Sequence, residues 1–409
     1  MRFPAVRPLM TPAFALALTA CGGHNSGPAV EMSAEDSAGV RIVTYAATPD
    51  SAPPFHFSAE PLYRHGSRSG DYLFQYISSF SPRGGRFLPD GSAVISDAEN
   101  DEVVLLGPDG ALAGILARRG EGPGEVISAR PLVLSQDSIL IHDPGNLRFT
   151  LFVDGAYDRT YSARRADNLT MLGADGAGGL LMATESYPAS GTGPGWAMGY
   201  LVRYRLDAAV PDTAGAYRSH RWSEGRVRNP FEAHGSVAAA GGHFITGRSD
   251  MSELTWRRPD GSPAQVLRWN PDPEYPTPEH WEQFVAYYQR SVEMQPGVSA
   301  EMAREAALQL QERYRLVPDE PVPLYRAILS DGRGRLWLEE YEPGNRHEAV
   351  LRHMVIAADG TWLGTVTAPE RFLFLDATGD RVLGMVVDEL GVQHVVVYGL
   401  VPSAEGVGR

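Results

Sequence analysis

The stretch LPDGSAVISDAENDEVVLLGPDGAL (residues 88–112) decides the fold, because residues 134–157, LSQDSILIHDPGNLRFTLFVDGAY, repeat its pattern. Each stretch contains a turn, an alternating apolar strand, an Asp, an Asn three residues later, a second strand and an Asp-Gly pair. Asp-Gly pairs commonly close β-hairpins, since both residues tolerate the positive φ angles of a tight turn. Each stretch therefore predicts paired strands that end in a hairpin turn.

The rest of the chain carries weaker copies of the same unit. Asp97 and Asn100 of the first copy correspond to Asp143 and Asn146 of the second, and further copies occupy residues 173–207, 238–263, 329–363 and 372–400. Units of roughly 35–50 residues with three or four short strands each are typical of a β-propeller. The sequence therefore predicts an all-β, six-bladed β-propeller. An open solenoid is the alternative, although the capping ends that a solenoid needs are not visible.

Ring closure has a candidate in residues 39–47, GVRIVTYAA, which form a strand pattern ahead of the first unit. The last unit, residues 372–400, is one strand short. Pairing the two segments would close the ring and remove an exposed sheet edge. We therefore expect residues 39–47 to complete the last blade.

Residues 272–318 interrupt the repeats, because strand patterns vanish there and two helices are predicted. Thr277 and Pro278 give a helix cap and a first-turn proline, and Ser299 caps the second helix. Apolar residues at helical spacing form one face on each helix; they are Trp281, Phe284, Val285 and Tyr288 on the first, and Ala303, Ala307, Leu310 and Tyr314 on the second. We expect both faces to pack on one rim of the ring.

Composition excludes several function classes. The chain has 409 residues with a formal net charge of −14, which disfavours nucleic acid and anionic lipid headgroups as partners of the folded body. The basic residues are all arginines. Schiff-base chemistry and Walker A phosphate binding both need a lysine, so neither is available.

The N-terminus indicates where the protein resides. Arg2 and Arg7 flank a basic region, and PLMTPAFALALTA is an apolar run too short for a stable bilayer anchor. It ends at Cys21, the only cysteine of the chain, and resembles a bacterial lipoprotein signal. The resemblance implies a cleaved signal peptide, residues 1–20, and an exported protein that lipidated Cys21 holds on the cell envelope, at the outer membrane or the periplasmic face. An uncleaved membrane helix or a chance cysteine is the alternative.

The remaining domain boundaries follow from these assignments. Residues 21–38 are predicted to be a flexible tether, residues 39–401 the propeller with its helical insert, and residues 402–409 a disordered tail. The protein is expected to be a monomer.

The chain resembles the bacterial six-bladed β-propeller lipoproteins related to NHL-repeat propellers. The matching features are the cysteine motif, the GEGPGE corner (residues 120–125), the Asp and Asn residues of the blade hairpins, and a helical insert before the strand GRLWLEEY (residues 334–341). The resemblance implies the propeller fold over residues 39–401. It implies little about function, since that family mostly lacks an assigned activity.

The GEGPGE corner has two interpretations. It lacks the lysine and the following helix of a phosphate loop, and its glycines do not fit the dinucleotide-binding spacing. As a connector between blades it needs glycine and proline to turn the chain. The alternative is that Glu121 or Glu125 reaches the axial channel as a ligand-binding group.

The Asp and Asn residues of the hairpins also allow two interpretations. Short polar side chains at strand ends usually bind neighbouring backbone. The alternative is a ring of oxygen ligands for Ca²⁺ at the channel mouth, as sugar-lactone hydrolases on six-bladed propellers use. Four such residues cannot be matched here, so no catalytic residue and no cofactor are assigned, with Ca²⁺ kept only as that alternative.

Three functions remain open. The first is a lipid-anchored binding module for a protein, peptide or glycan; the second is a metal-assisted hydrolase or lactonase with its site in the axial channel; the third is a structural envelope component. For the binding module, the predicted site is the rim beside the helical insert, with Arg326, Trp337 and Glu339 as candidate ligand-binding residues.

Overall fold

The computed structural model describes residues 30–49, 53–66, 70, 72–78, 84–166, 168–184, 195–207, 211–222, 228–293, 298–344 and 349–403. Four strands come first: β1 (Met32–Ser37), β2 (Val40–Tyr45), β3 (Phe55–Phe57) and β4 (Tyr63–His65). The blades then follow in chain order.

Each blade starts with its innermost strand. Blade 1 contains β5 (Gly85–Phe87), β6 (Ala93–Asp97), β7 (Glu102–Leu106) and β8 (Leu112–Ala117). Blade 2 contains β9 (Arg130–Val133), β10 (Ser138–Asp143), β11 (Arg148–Val153) and β12 (Ala156–Ser162). Blade 3 contains β13 (Leu169–Ala174), β14 (Leu180–Thr184), β15 (Gly195–Tyr204) and β16 (Asp212–Trp222).

The second half of the ring follows the same plan. Blade 4 contains β17 (Gly235–Ala240), β18 (His243–Arg248), β19 (Glu253–Arg257) and β20 (Pro263–Arg268). The helices α1 (Pro278–Glu293) and α2 (Ala300–Arg313) come next. Blade 5 contains β21 (Tyr325–Ser330), β22 (Leu336–Glu340), β23 (Arg352–Ile356) and β24 (Trp362–Thr367), and blade 6 contains β25 (Phe372–Ala377), β26 (Arg381–Val387) and β27 (Gln393–Pro402).

The protein is a six-bladed β-propeller, as the repeat predicts. Within each blade, consecutive strands pair antiparallel. The turns after the first and third strands therefore lie on one face of the ring, which we call the hairpin face. The turns after the second strand and the links between blades lie on the opposite face, which we call the connector face.

Hairpin turns follow the local chemistry that the sequence indicates. Asp109 accepts a hydrogen bond from the backbone N of Ala111, and Gly110 adopts a φ of +83°. A side chain at Gly110 would also collide with Tyr63. In blade 2, Asp154 and Gly155 both adopt positive φ. The Asp-Gly pairs therefore close these hairpins as predicted, because they adopt conformations that a tight turn requires.

Closure of the ring differs from the expectation. Residues 39–47 do not complete the last blade, because β2 pairs in parallel with β20, the outer strand of blade 4. Blade 6 is completed by β3 and β4, which both pair antiparallel with β27. The prediction was correct that an N-terminal segment closes the ring and wrong about which segment does so.

The strand β1 lies where a tether was expected. It pairs antiparallel with β2 over its whole length and forms the outermost strand of the blade 4 sheet. All six of its residues are exposed, so the pairing rests on backbone hydrogen bonds more than on burial. Within the predicted tether, residues 32–37 are therefore ordered as a strand.

The apolar core lies between neighbouring blades. The largest cluster joins blades 5, 6 and 1 and includes Trp337, which packs on Phe374 and on Phe55 of β3. Burying Phe55 there attaches the closing segment to the core as well as to the sheet edge.

The two predicted helices form, and they lie on the connector face; none of the residues of α1 is fully buried. Thr277 accepts a hydrogen bond from the N of His280, and Ser299 accepts one from the N of Met302. On α2, the residues Ala303, Ala307 and Leu310 are buried. No helix in the described part of the chain is long and apolar enough to cross a membrane.

Candidate functional site

An axial pocket opens on the hairpin face, where the innermost strands of all six blades end. It has a volume of about 470 Å³. Its wall includes Arg86 from blade 1, Leu132 from blade 2, Leu172 from blade 3, Ala239 from blade 4, Arg333 from blade 5 and Asp376 from blade 6. Concave sites of 300–1,000 Å³ are typical of small-molecule binding.

Contacts between neighbouring blades hold the rim of this pocket. Asp376 accepts hydrogen bonds from the backbone N of Phe87 and of Ala377, both at 2.9 Å, so its carboxylate joins blade 6 to blade 1. The N of Gly332 donates to Ala377 O at 3.1 Å and joins blade 5 to blade 6. Between blades 1 and 2, the N of Asp90 donates to the side chain of Gln136. The pocket is therefore shaped before any ligand arrives.

Arg86 is the charged group that the innermost strand of blade 1 contributes to the pocket wall. Its Nη1 donates to Gly85 O at 2.8 Å and to Leu375 O at 3.5 Å. Burial lowers the pKa of Arg86, and the charge of Asp376 offsets part of that effect. The side chain is enclosed by protein atoms and still keeps an accessible face, because the pocket beside it is open to solvent.

A second charged group comes from the first turn of blade 5. Asp331 accepts hydrogen bonds from the backbone N of Arg333 and Arg335, from Arg335 Nε at 2.6 Å and from Trp337 Nε1 at 3.0 Å. These donors satisfy its carboxylate. Arg333 is exposed and lies against Gly379, where any side chain would collide with its guanidinium.

The predicted ligand-binding residues of blade 5 lie away from this pocket. Trp337 and Glu339 are fully buried, so neither presents a side chain to solvent. Arg326 is partly exposed: its Nε lies 3.9 Å from Glu339 Oε1, its Nη2 donates to Glu342 O, and its guanidinium stacks over Tyr341. The structure therefore places Arg326 and Glu339 together as an ion pair with a buried carboxylate and a partly exposed guanidinium. Trp337 packs in the core instead.

The corner residues Glu121 and Glu125 lie on the connector face. Glu125 turns into its own loop, where it accepts a hydrogen bond from the N of Gly122 at 2.6 Å. Glu121 has an exposed side chain, and its backbone O accepts from Arg148. Gly120 leaves room for the Glu125 carboxylate, because a side chain there would collide with it. Neither glutamate reaches the axial pocket, which opens on the opposite face.

The repeated Asp and Asn residues fasten the connectors to the blades. Asp97 accepts from the backbone N of Gln75 and Tyr76, both at 3.0 Å. Asp143 accepts from the N of Ile127 at 3.3 Å and of Ser128 at 3.0 Å. The partners are therefore backbone groups of the segment that enters the same blade.

The carboxylates of this repeated motif are accordingly occupied by N–H donors. Among the residues that the structure describes, no three His, Cys, Asp or Glu side chains lie close enough to hold one metal ion. Cys21, the predicted lipidation site, lies outside the described residues.

Sequence reasoning missed Arg86, Arg333 and Asp376. Each lies at the end of an innermost strand or in the turn that follows it, at the position where a repeat approaches the axis. Arg86 and Asp376 are each second from the end of an innermost strand, a position that an alignment of the repeats on their first hairpin turn would have identified. Arg333 lies in the turn itself, where polar and charged residues are common and give no such signal.

Comparison with known proteins identifies the fold and nothing finer. No protein family and no curated protein matches this sequence. A member of the DUF4221 family from Bacteroides vulgatus has a similar structure, with a TM-score of 0.50 and 11% identity over 86% of this chain and 100% of that one. A putative exported protein from Bacteroides fragilis aligns with a TM-score of 0.48 and 11% identity, covering 88% of this chain and 100% of that one. At these identities the likeness concerns the propeller fold alone.

Proposed function

We propose that the protein is an exported, lipid-anchored binding module and that the axial pocket on the hairpin face is its ligand site. The pocket carries the proposal, because all six blades contribute to one preformed cavity of about 470 Å³. A ligand of that size is a small molecule, or the end of a peptide or glycan chain. Contacts between blades hold the wall, so binding needs little reorganisation.

Export and anchoring rest on the N-terminal sequence. The short apolar run that ends at Cys21 supports a lipoprotein signal, and the exported neighbour from Bacteroides fragilis is consistent with it. More than one acyl chain gives stable membrane attachment. Replacing Cys21 by Ala should move the protein from the membrane fraction to the soluble fraction. Unchanged fractionation would contradict the anchor.

Filling the pocket tests the binding site. Leu134 lines the pocket and is 43% exposed, so Leu134→Trp adds bulk to the cavity with little disturbance of the core. Leu390 is 74% exposed in the turn between β26 and β27 and does not line the pocket, so Leu390→Trp is the matched control. Native mass spectrometry of the full chain in detergent micelles, against short peptides, oligosaccharides and organic acids, measures the binding.

The expected result is that a ligand of the wild-type protein binds the Leu390→Trp variant equally well and the Leu134→Trp variant at least about 10-fold more weakly, since the indole displaces part of the ligand. Equal binding to both variants would refute the pocket assignment. The absence of any ligand across the three libraries would contradict the binding role itself.

A further inference from the structure

The axial pocket is divided into a charged half and an uncharged half. The charged residues among its described lining all come from blades 5, 6 and 1, which are neighbours in the ring; they are Asp331, Arg333, Asp376 and Arg86. Blades 2, 3 and 4 form the other half, where the described lining residues carry no charge; they are Leu132, Val133, Leu134, Ser135, Leu172, Gly173 and Ala239. A ligand that fits both halves is amphipathic.

The charged half favours an anion. Asp331 is paired with Arg335 at 2.6 Å, so its charge is neutralised within blade 5. Arg86 and Arg333 then face a single further carboxylate, Asp376, whose two oxygens accept backbone N–H groups. Counted over the described lining residues and Arg335, the net charge of this half of the wall is one positive charge. A bound monoanion would make the net charge of this half of the pocket zero, whereas a dianion would make it negative.

Arg86 has the donors that such an anion needs. A guanidinium carries five N–H donors in a planar fork that matches a carboxylate. Within the described residues, only Nη1 of Arg86 is engaged, and its partners are backbone oxygens. The Arg86 side chain lines the pocket, so a ligand there can accept from its other N–H groups. A hydrogen bond between a guanidinium and a carboxylate is charge-assisted and roughly twice as strong as one between neutral groups.

We propose that the axial pocket binds a small monocarboxylate with an alkyl or aryl body, the carboxylate on Arg86 and Arg333 and the apolar body on Leu132, Leu134 and Leu172. This inference rests on the proposed function, because it uses the same pocket. Its volume of about 470 Å³ accommodates an acid with an eight-carbon chain or one aromatic ring.

Pairs of acids and their amides test the inference. Octanoate and octanamide, and phenylacetate and phenylacetamide, differ in charge but hardly in shape. Isothermal titration calorimetry on the full chain in detergent micelles measures each dissociation constant. We expect the acids to bind at least about 10-fold more tightly than the amides, because a hydrogen bond to a charged group is worth more than one to a neutral group.

Variants of the protein test whether Arg86 is the residue that makes the pocket prefer the acids to the amides. Arg86→Gln should remove the preference for the acids, and Arg86→Lys should restore part of it. Arg258→Gln is the matched control: Arg258 lies on the same face, donates to Ser262 and Pro263, and does not line the pocket. That variant should retain the wild-type preference.

A chemical measurement covers the case in which Arg86→Gln does not fold. Phenylglyoxal modifies accessible arginines, and mass spectrometry reports the modification of each one. Octanoate should protect Arg86 and Arg333 in the wild-type protein and leave the modification of Arg258 unchanged.

The outcomes separate the two proposals. Equal binding of acid and amide, or protection that does not include Arg86, would overturn the monocarboxylate inference while leaving the pocket as the ligand site. No binding of either acid at millimolar concentration would overturn the inference as well. The pocket itself fails only if ligands bind the Leu134→Trp variant as tightly as the wild-type protein.

Discussion

Asp143 offers the sharpest test of how the blades are held together. The side chain is fully buried and accepts hydrogen bonds from Ile127 N, Ser128 N, Asn146 N and Asn146 Nδ2 at 3.3, 3.0, 3.3 and 2.7 Å. Replacing Asp143 by Ala leaves the two connector amides and the N of Asn146 without their acceptor, whereas Asn146 Nδ2 keeps its hydrogen bond to Gly120 O. The corner between blades 1 and 2 then loses part of its attachment to blade 2 and keeps the hydrogen bonds that Arg148 donates to its backbone.

The magnitude follows from the burial of those donors. A buried N–H without an acceptor costs about 1–3 kcal/mol. The connector residues Ile127 and Ser128 are half-buried, so water replaces part of the loss and the lower end applies. Summed over the donors, Asp143→Ala should lower the free energy of unfolding by about 2–4 kcal/mol.

The equivalent residue of blade 1 provides an internal comparison. Asp97 is also buried, but its backbone partners belong to Gln75 and Tyr76, which are both exposed. Water reaches those amides more readily, so Asp97→Ala should cost only about 1–2 kcal/mol. We therefore predict the loss of unfolding free energy for each variant and also that Asp143→Ala loses more than Asp97→Ala.

Urea unfolding of the full chain, followed by tryptophan fluorescence, measures both variants. Glu121→Ala is the matched control, because the Glu121 side chain is exposed in the same corner, and its midpoint should equal that of the wild type. An Asp143→Ala midpoint equal to the wild type, or a larger loss for Asp97→Ala than for Asp143→Ala, would refute the reasoning.

Two further predictions concern stability. Burial and, to a smaller extent, the charge of Arg130 lower the pKa of His142 to about 4, so below pH 6.5 the unfolded chain takes up the proton first. Between pH 6.5 and 4 the free energy of unfolding of the wild type should fall by about 3 kcal/mol relative to that of His142→Phe. Parallel plots of unfolding free energy against pH for the two proteins would contradict this. Phe55→Ala should lower the free energy of unfolding by about 3 kcal/mol, because Phe55 is 7% exposed and its ring centroid lies 5.4 Å from that of Trp337. Met32→Ala is the control, because Met32 is 52% exposed and its loss should change the unfolding free energy little. Equal thermal melts of these two variants would show that the β3 segment does not hold the ring closed.

The fold was predictable because the residues that define each hairpin lie close together in the sequence. Each hairpin is encoded by alternating apolar residues and an Asp-containing turn, so the repeat was visible without any knowledge of long-range contacts. The helices of the insert were visible for the same reason, from Thr277, Ser299 and helical spacing.

Pairings between distant segments were not predictable in this way. The β2 strand has a pattern that suits any sheet edge, and only the three-dimensional arrangement decides that it joins blade 4. The candidate site could not be predicted for the same reason, since Arg86 and Asp376 are far apart in the sequence and come close only when the ring closes. Trp337 and Glu339, the predicted ligand-binding residues of blade 5, are buried in the structure. Strand alternation shows that a strand has two faces but not that neighbouring blades cover both of them.

The attachment of β1 and β2 to the outside of blade 4 determines where a membrane anchor would join the propeller. These two strands extend that blade away from the axis by about 10 Å, at the usual spacing between strands. The chain from Cys21 to Met32 spans at most about 40 Å. With Cys21 lipidated, the linker would meet the propeller at the circumference of the ring and not at either of its faces. The opening of the axial pocket on the hairpin face would then be separate from the point of attachment.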